Sequence, residues 1–163
     1  MNKHYYSWQD IENSCMDIIV QMYRDNWTPD YIVGLTRGGN IPATIISNKT
    51  NIRCEALKVS LRDDSGRDAE SNLWMANDAF EGKKILIVDD INDTGATFNW
   101  IVEDWQDSAI PTSSKWDNIW GNNVRFAVIT DNLSSDFKYA TSYSTFEVNK
   151  AEEDVWLVYP WEK

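Results

Sequence analysis

The sequence predicts an α/β protein with a mostly parallel central sheet and helices on both of its faces. The first observation behind this prediction is that short apolar segments alternate along the chain with segments of helical periodicity. The second is the segment 84–88, where four apolar residues follow Lys84 and precede two acids. Such an uninterrupted apolar run is typical of a central strand buried on both faces of a parallel sheet. Sheets of this class bind ligands at the carboxyl ends of their strands.

The predicted elements follow one another in a regular order. A helix is expected over 7–25, with Ser7 as its N-terminal cap, because its apolar residues recur at helical spacing. The tail 155–161 is dense in aromatic and apolar side chains. Two further helices are expected over 41–49 and 97–106, and strands are expected over 31–35, 55–60, 84–88, 124–130 and, more weakly, 145–148.

Two long segments connect these elements. Residues 61–77 carry many charges and little apolar periodicity, so we expect a long mobile loop there. We interpret it as a lid that brings Arg62 or Arg67 to a bound ligand, with a surface loop of no function as the alternative. Residues 107–123 are polar and predict a connection with a short helical turn around 116–120, whose function the sequence does not reveal.

Composition narrows the class of protein. A chain of 163 residues with 42% hydrophobic residues predicts a single domain over 1–163. The net charge of -11 argues against a nucleic-acid partner, because such a surface repels a polyanion. No segment approaches the run of about 20 apolar residues that a membrane helix needs, and the opening residues do not resemble a signal peptide. We therefore expect a cytoplasmic protein.

The cysteines, the histidine and the tryptophans carry less information. Cys15, Cys54 and the single His4 lack the spacing of a zinc site, so two buried, reduced thiols are expected. Tryptophan is frequent, with nine copies, and several lie among polar neighbours, as Trp100 and Trp120 do. Some of them are expected at an oligomer interface.

The segment 85–97 carries the chemistry. Asp89 and Asp90 end the apolar strand, and Asp93 follows in the loop. The residues 94–97 open the next helix, where unpaired backbone N–H groups and the positive end of the helix dipole favour an anion. Adjacent carboxylates beside an anion site are compatible with it only if they face hydroxyl groups, a metal ion or a developing cation. A ribose phosphate with its metal meets that condition.

This segment resembles the phosphoribosyl-pyrophosphate signature of the type I phosphoribosyltransferase family. The resemblance implies that Asp89 and Asp90 contact the ribose hydroxyls and, through substrate or water, a Mg²⁺ ion. It implies that Asp93 acts as the general acid or base toward the nucleobase. The residues it assigns to the 5-phosphate are Asp93, Thr94, Gly95, Ala96 and Thr97.

Two further segments resemble parts of the same family, in the form found in bacterial xanthine-guanine and hypoxanthine phosphoribosyltransferases. Trp156 in the tail is similar to a tryptophan that covers the purine, and Leu157 follows it at the substrate. The other segment, after the first strand, looks like the loop whose backbone amides bind pyrophosphate, and it comprises Thr36, Arg37, Gly38 and Gly39.

The sequence departs from those enzymes at one position that matters for the base. They place a lysine after the strand 124–130 to read the exocyclic oxygen of the purine, and Asn132 stands there in this chain. An asparagine amide donates or accepts, whereas a lysine only donates, so the identity of the base is left open. Lys138 is a nearby substitute.

The resemblance as a whole implies a purine phosphoribosyltransferase of the type I fold, with Mg²⁺ as cofactor. It also implies a homodimer or homotetramer and a small hood that covers the base and includes 131–163. One alternative is a non-catalytic regulatory module that binds phosphoribosyl pyrophosphate or a nucleotide, which the absent lysine favours. A phosphoacceptor receiver domain is a second alternative, because the segment 84–90 resembles its first strand. The chain after Asp131 is too short to complete a receiver.

Overall fold

The computed structural model describes residues 2–59 and 72–162. Strands and helices alternate through most of the chain, as the sequence predicts. The elements are β1 (Asn2–Tyr5), α1 (Trp8–Arg24), β2 (Tyr31–Thr36), α2 (Asn40–Thr50), β3 (Cys54–Lys58), α3 (Leu73–Phe80), β4 (Ile85–Asn92), α4 (Ala96–Ser108), the 3₁₀ helix η1 (Ser114–Asn118), β5 (Val124–Asn132), β6 (Tyr143–Val148) and β7 (Val155–Val158).

Five of the strands form one parallel sheet in the order β3-β2-β4-β5-β6. The central position of β4 confirms the interpretation of its apolar run as a strand covered on both sides. Because all five strands are parallel, their carboxyl ends lie along one edge of the sheet. From β2 the chain adds β3 on one side, and it then crosses over to add β4 on the other side of β2. The direction in which the sheet grows therefore changes between the neighbouring strands β2 and β4. Ligands bind at such a crossing point in open α/β sheets.

The side chains of β4 alternate between two hydrophobic cores. Ile85 and Ile87 point to the core shared with α3 and α4, whereas Leu86 and Val88 point to the core shared with α1 and α2. All four side chains are fully buried. A strand with both faces packed in this way has little freedom to move, so the acids that end it are held on a rigid support.

Local sequence explains the start of α1. Ser7 accepts a hydrogen bond from the Asp10 N–H at 3.0 Å, and the Asp10 carboxylate accepts one from the Ser7 N–H at 2.8 Å. This reciprocal capping box satisfies two N–H groups that the helix itself cannot pair. The predicted cap at Ser7 is confirmed.

The structure corrects three expectations for the connecting segments. The loop expected over 61–77 is wrong at its end, because Leu73–Phe80 is a helix whose Met75, Ala76 and Ala79 are buried. The tryptophans of the segment 107–123 belong to the core rather than to an exposed contact surface. Trp116 and Trp120 stack with ring centroids 5.5 Å apart and are 2% and 6% exposed. Cys54 is only partly buried, whereas Cys15 is buried, and both are free thiols.

A separate two-stranded parallel sheet joins β1 to β7, and we call it the hood. Of the stretch 131–163, β7 lies in the hood and β6 lies in the central sheet. The buried Tyr6 and Tyr159 fasten the hood to β5: the Tyr159 hydroxyl lies 3.0 Å from the Thr130 hydroxyl, which donates to the Tyr6 hydroxyl at 2.9 Å. None of the helices within 2–59 and 72–162 is long and apolar enough to cross a bilayer.

Candidate active site

Three cavities share one residue, Asp90, at the carboxyl edge of the sheet. The first, the anion cradle, has a volume of about 230 Å³ and is lined by residues 89–98. The second, the arginine cleft, has about 560 Å³ and is lined by Arg37, Gly38, Ile41, Asp90, Trp161 and Glu162. The third, the tryptophan pocket, has about 130 Å³ and is lined by Asp90, Ile91, Asp93, Lys150, Trp156, Leu157, Tyr159 and Glu162.

The anion cradle is formed by the turn between β4 and α4. Gly95 is the N-cap of α4 with φ +91°, a left-handed conformation that glycine adopts without strain. Gly95 has no side chain with which to cap the first turn of α4. Thr94 adds a hydroxyl, which accepts from the Ala96 N–H at 3.2 Å. The N–H groups of the first helical turn and the dipole of α4 therefore favour an anion in this cavity.

Gly95 also packs closely against the segment that follows β5. A Cβ atom added at Gly95 would collide with the backbone of Phe137. Phe137 in turn packs on Phe98 of α4, with ring centroids 5.3 Å apart. The cradle therefore depends on glycine for its backbone conformation and for the space that it leaves.

Asp89 and Asp90 lie side by side, partly buried, at the end of β4. Burial raises the pKa of the Asp89 carboxyl well above its usual range, and the neighbouring Asp90 carboxylate raises it further. Burial likewise raises the pKa of Asp90. Backbone hydrogen bonds orient both groups: the Asp90 N–H donates to Asp89 Oδ1 at 2.9 Å and the Ile91 N–H donates to Asp90 Oδ1 at 2.8 Å. The pair is poised to gain stability from a cation.

The arginine cleft is formed by the turn between β2 and α2. The peptide bond between Thr36 and Arg37 is cis, and the Arg37 side chain is exposed. A Cβ atom added at Gly38 would collide with the Asp90 carboxylate, and one added at Gly39 would collide with the Val88 carbonyl oxygen. The two glycines therefore let the turn lie directly against the end of β4.

The tryptophan pocket lies between the β4 loop and the hood. Trp156 is 49% exposed, so one face of its indole is available to a flat ligand, whereas Leu157 is only 6% exposed. Asp93 forms an ion pair with Lys150, with Nζ 3.0 Å from Oδ1. The Lys150 ammonium also lies 5.6 Å from the centroid of the Trp156 ring. An acid, a base and an aromatic face thus meet in one small cavity.

Asn132 lies beside this pocket and does not line it. The residue is 6% exposed, and both ends of its side-chain amide hydrogen-bond within the protein. Nδ2 donates to the Asp93 carbonyl oxygen at 2.8 Å, and Oδ1 accepts from the Lys150 N–H at 3.0 Å. The expected direct contact of Asn132 with a base does not fit this geometry. Lys138, the suggested substitute, is exposed and pairs with Glu103 at 3.3 Å.

Sequence reasoning missed Lys150, Tyr159 and Glu162 as residues of the site. No motif identifies them. The available signal is that Lys150 is a basic residue just before an acidic stretch and the aromatic tail. Arg62 and Arg67, the expected lid residues, lie outside the described residues. The other predicted site residues are brought together around Asp90 and line the three cavities, except Asn132, Thr36 at the end of β2 and the buried Gly39.

The acid pair is able to bind a metal ion, but the described residues do not form a complete set of metal ligands. Within 2–59 and 72–162, no group of three or more His, Cys, Asp or Glu side chains is placed to hold a metal ion. Asp89 and Asp90 supply carboxylate oxygens, the ligands that Mg²⁺ prefers. Magnesium is usually held by one or two carboxylates together with substrate phosphates and water. The chain therefore fits a cation that arrives with a phosphorylated substrate.

Known proteins share both sequence and fold with this chain. Residues 1–160 match the family model of the phosphoribosyl transferase domain. The chain is 25% identical to xanthine phosphoribosyltransferase 1 of Saccharomyces cerevisiae, over 97% of this chain and 88% of that protein. It is also 25% identical to the hypoxanthine-guanine phosphoribosyltransferase of Schizosaccharomyces pombe, with the same coverage of 97% and 88%.

Solved structures agree with this chain over nearly its whole length. The purine phosphoribosyltransferase from Pyrococcus horikoshii has a TM-score of 0.71 at 21% identity and covers 100% of this chain and 95% of its own. A hypothetical protein from Neisseria gonorrhoeae with bound ppGpp has a TM-score of 0.70 at 20% identity, with 99% and 90% covered. These likenesses establish the fold, and they confirm the predicted α/β architecture.

Proposed function

Because the chain belongs to the phosphoribosyl transferase domain family, we propose that it transfers ribose 5-phosphate from 5-phosphoribosyl-1-pyrophosphate to a purine base and releases pyrophosphate. The proposal makes the chain a glycosyltransferase of purine salvage. The observation that carries it is the convergence of three cavities on Asp90. A phosphoribosyl donor and its acceptor have three parts to be held, namely a 5-phosphate, a pyrophosphate and a base.

Each cavity offers the chemistry that one part needs. The anion cradle, with Asp93, Thr94, Gly95, Ala96 and Thr97, would hold the 5-phosphate through helix N–H groups and hydroxyls. The arginine cleft would hold the pyrophosphate through Arg37 and the backbone of its glycine turn. The tryptophan pocket would hold the base against Trp156 and Leu157. Asp90, common to all three, would then face the ribose.

The reaction breaks the bond between ribose C1 and the pyrophosphate oxygen, and the bonding electrons leave with pyrophosphate. Positive charge develops on the ribose, and the carboxylates of Asp89 and Asp90 would stabilise it more in the transition state than in the ground state. Their burial strengthens this effect, because a charge in a poorly solvated site acts through a lower effective dielectric. A nitrogen of the base then bonds to C1, and its proton would pass to Asp93.

We also propose Mg²⁺ as the cofactor, held by Asp89 and Asp90 through substrate or water. When bound, it would neutralise the charge of the departing pyrophosphate. The raised pKa of both acids supports this assignment, since a cation relieves the unfavourable proximity of two buried carboxylates. The quaternary structure, a homodimer or homotetramer, and a cytoplasmic location belong to the same proposal and rest on the family alone.

The choice of a purine is supported by the names of the relatives and by the side chains of the tryptophan pocket. Both yeast relatives are named for xanthine, hypoxanthine or guanine, and the archaeal structure is named a purine enzyme. An exposed indole beside an acid and an ammonium suits a flat heterocycle with polar edges.

One alternative retains an observation in its favour. The Neisseria gonorrhoeae protein with the same fold was crystallised with ppGpp. If this chain is a regulatory module, it would bind a nucleotide in the same three cavities without turnover. Turnover distinguishes the two functions, because a regulatory module binds the phosphoribosyl compound and leaves it intact.

The direct test is an assay of nucleotide formation. The protein, 5-phosphoribosyl-1-pyrophosphate and Mg²⁺ are incubated with hypoxanthine, xanthine, guanine, adenine or uracil, and products are separated by chromatography. We expect a purine 5'-monophosphate and stoichiometric pyrophosphate, and much slower product formation by Asp93→Asn. Binding of the phosphoribosyl compound without product from any base would support the regulatory module, and absence of binding would contradict both functions.

A further inference from the structure

We propose that residues 131–138, at the end of β5 and just after it, position the anion cradle, and that Asn132 is the principal positioning residue. We call this stretch the support segment. It holds two carbonyl oxygens of the cradle turn from outside the cavity, so that the N–H groups of the same peptide units face a bound 5-phosphate. The inference rests on the function proposed above and concerns the shape of its phosphate site.

Two consecutive carbonyl groups of the cradle turn accept hydrogen bonds from the support segment. The Asn132 side chain donates from Nδ2 to the Asp93 carbonyl oxygen at 2.8 Å. The Asp136 N–H donates to the Thr94 carbonyl oxygen, also at 2.8 Å. The lining of the cradle comes from residues 89–98, so both donors approach the turn from outside the cavity.

The planar peptide unit turns these two contacts into a fixed direction for two N–H groups. In a trans peptide unit, the C=O group and the N–H group that follows it point in opposite directions. A fixed Asp93 carbonyl therefore fixes the Thr94 N–H, and a fixed Thr94 carbonyl fixes the Gly95 N–H. Because both carbonyl oxygens are held outward, both N–H groups are turned toward the cavity side, where an anion would accept from them.

A second contact joins the support segment to α4 through the side chain of Asn99. Its Nδ2 atom donates to the Asp136 carbonyl oxygen at 3.0 Å, and its Oδ1 atom accepts from the Lys138 N–H at 2.9 Å. Both ends of the amide are thus paired with the backbone of the support segment. Asp136 is also the residue whose N–H holds the Thr94 carbonyl, so Asn99 fixes the position of that donor.

The contact between the two segments is buried, and its polar side chains are paired. Asn92 and Asn132 are each 6% exposed, and they are two of the four buried polar residues in the described part of the chain. Asn92 donates to Asp131 Oδ1 at 2.9 Å and accepts from the Ser135 hydroxyl at 3.1 Å. A buried polar network in which each member has its partners fixes one geometry. The support segment is therefore suited to hold the cradle turn in a single conformation.

A different explanation of the support segment is that it contributes only to the stability of the fold. In that case the loss of one of its hydrogen bonds would lower the melting temperature and leave the phosphate affinity of the folded protein unchanged. If the segment positions the cradle, the phosphate affinity of the folded protein falls as well. The two explanations therefore differ in the affinity measured well below the melting temperature.

The experiment measures the affinity for ribose 5-phosphate by calorimetry, at a temperature where each variant is folded, together with the melting temperature of each variant. Asn132→Ala removes the donor to the Asp93 carbonyl oxygen. We expect the affinity to fall about 10- to 100-fold, the effect of a shift of about 1 Å in a binding group. Asn99→Ala removes the contacts that hold Asp136 and should lower the affinity about 3- to 10-fold. Both substitutions are neutral, so no new charge acts on the phosphate.

The matched control is Asn123→Ala. The side-chain amide of Asn123 also donates to backbone carbonyl oxygens, those of Ala79 at 3.0 Å and Lys83 at 2.9 Å. Asn123 precedes β5, so it lies at the opposite edge of the parallel sheet from the cradle. Its substitution should lower the melting temperature and leave the affinity for ribose 5-phosphate unchanged.

Wild-type affinity for ribose 5-phosphate in Asn132→Ala and Asn99→Ala overturns the inference, as does an equal loss of affinity in Asn123→Ala. Asn99 is only half-buried, so Asn99→Ala decides the question if Asn132→Ala does not fold. Either contrary result leaves the proposed function intact, provided that the wild type binds ribose 5-phosphate. Failure of the wild type to bind it contradicts the proposed function instead.

Discussion

The anion cradle and the tryptophan pocket are built in opposite ways. The cradle comes from one continuous stretch, residues 89–98, at the end of the central strand. The tryptophan pocket is assembled from the β4 loop, the loop after β6 and the hood, which are far apart in the sequence. The first region has a rigid support on both faces of the sheet, whereas the second depends on contacts between separate segments. The site that we propose for the phosphate is thus fixed, whereas the parts of the site that we propose for the base are free to vary independently.

The difference implies that changes in the cradle should affect all substrates alike, and changes in the pocket should affect the base. Asp93 belongs to both regions, and its loss should have the largest effect. Asp93→Asn should lower kcat by about 100- to 10,000-fold, the range typical of a lost general acid or base. The KM for the phosphoribosyl donor should change little. Steady-state kinetics with the preferred base checks this, and wild-type kcat in the variant would remove Asp93 from the reaction.

Trp156 tests the pocket alone. Trp156→Ala should raise the KM for the base about 10- to 100-fold, because stacking of a base on an aromatic ring contributes about 1–3 kcal/mol. Trp156→Phe should recover much of the loss. The KM for the phosphoribosyl donor serves as the internal reference and should stay constant. Trp74→Ala, at a tryptophan of similar exposure outside the three cavities, is the matched control and should leave both KM values unchanged.

Gly95 tests the cradle alone. Gly95→Ala should destabilise the protein by about 1–3 kcal/mol for two reasons. The positive φ at this position is strained for alanine, and the added Cβ atom would collide with the backbone of Phe137. For a chain of this size each kcal/mol lowers Tm by about 2–4 °C. Affinity for ribose 5-phosphate should fall as well. Gly82→Ala is the control, since Gly82 has φ +93° and no atom within 4 Å of an added Cβ. Equal losses of phosphate affinity in both variants would contradict the cradle.

Of these substitutions, the one in the acid pair should have the smallest effect on stability. That effect should have the opposite sign, because the substitution is expected to stabilise the fold. Folding raises the pKa of Asp89, so the folded state binds more protons than the unfolded state at pH values between the two pKa values. Stability contributed by this group therefore falls as the pH rises through that window. Asp89→Asn should stabilise the protein at pH 7 by about 0.5–2 kcal/mol, the range of single stabilising substitutions, while activity is lost.

Thermal melts at several pH values test this trade-off. The stability gained by Asp89→Asn should shrink as the pH falls below the usual pKa of a carboxyl group, where the wild-type Asp89 is protonated in both the folded and the unfolded state. Asp117→Asn, at an exposed acid of η1, should show no comparable gain. A lower melting temperature for Asp89→Asn at pH 7 would indicate that the carboxylate stabilises the fold.

The sequence predicts the cradle better than the tryptophan pocket, because the cradle is one continuous segment and the pocket combines distant ones. The central strand and the cradle are recognisable because an apolar run, two acids and a glycine turn are adjacent in the chain, and each has a local physical reason. The helical cap at Ser7 is predictable for the same reason. The start of α3 was missed because its helical signal is short and follows a charged stretch without a capping side chain among the described residues.

The tryptophan pocket was predictable only in part. Trp156 stands in a recognisable tail motif, but Lys150 becomes part of the site only through the pairing of β5 with β6, which no local pattern encodes. Asn132 was predicted to contact the base because it stands where the related enzymes have a base-reading lysine. Its amide instead bonds to two backbone groups that the sequence does not show to be near. The exposure of Trp120 was misjudged for a similar reason, since its partner Trp105 lies on α4.

The parallel pairing of β1 with β7 has a consequence for folding. Lys3 is in register with Trp156, so the indole proposed to cover the base is aligned by a strand that lies far from it in the sequence. Contacts between such distant positions close a very large loop and form slowly. The cradle is local to the β4–α4 unit, so we expect it to form before the pocket that we propose for the base. We therefore expect selectivity for the acceptor to depend on long-range contacts that the cradle does not need.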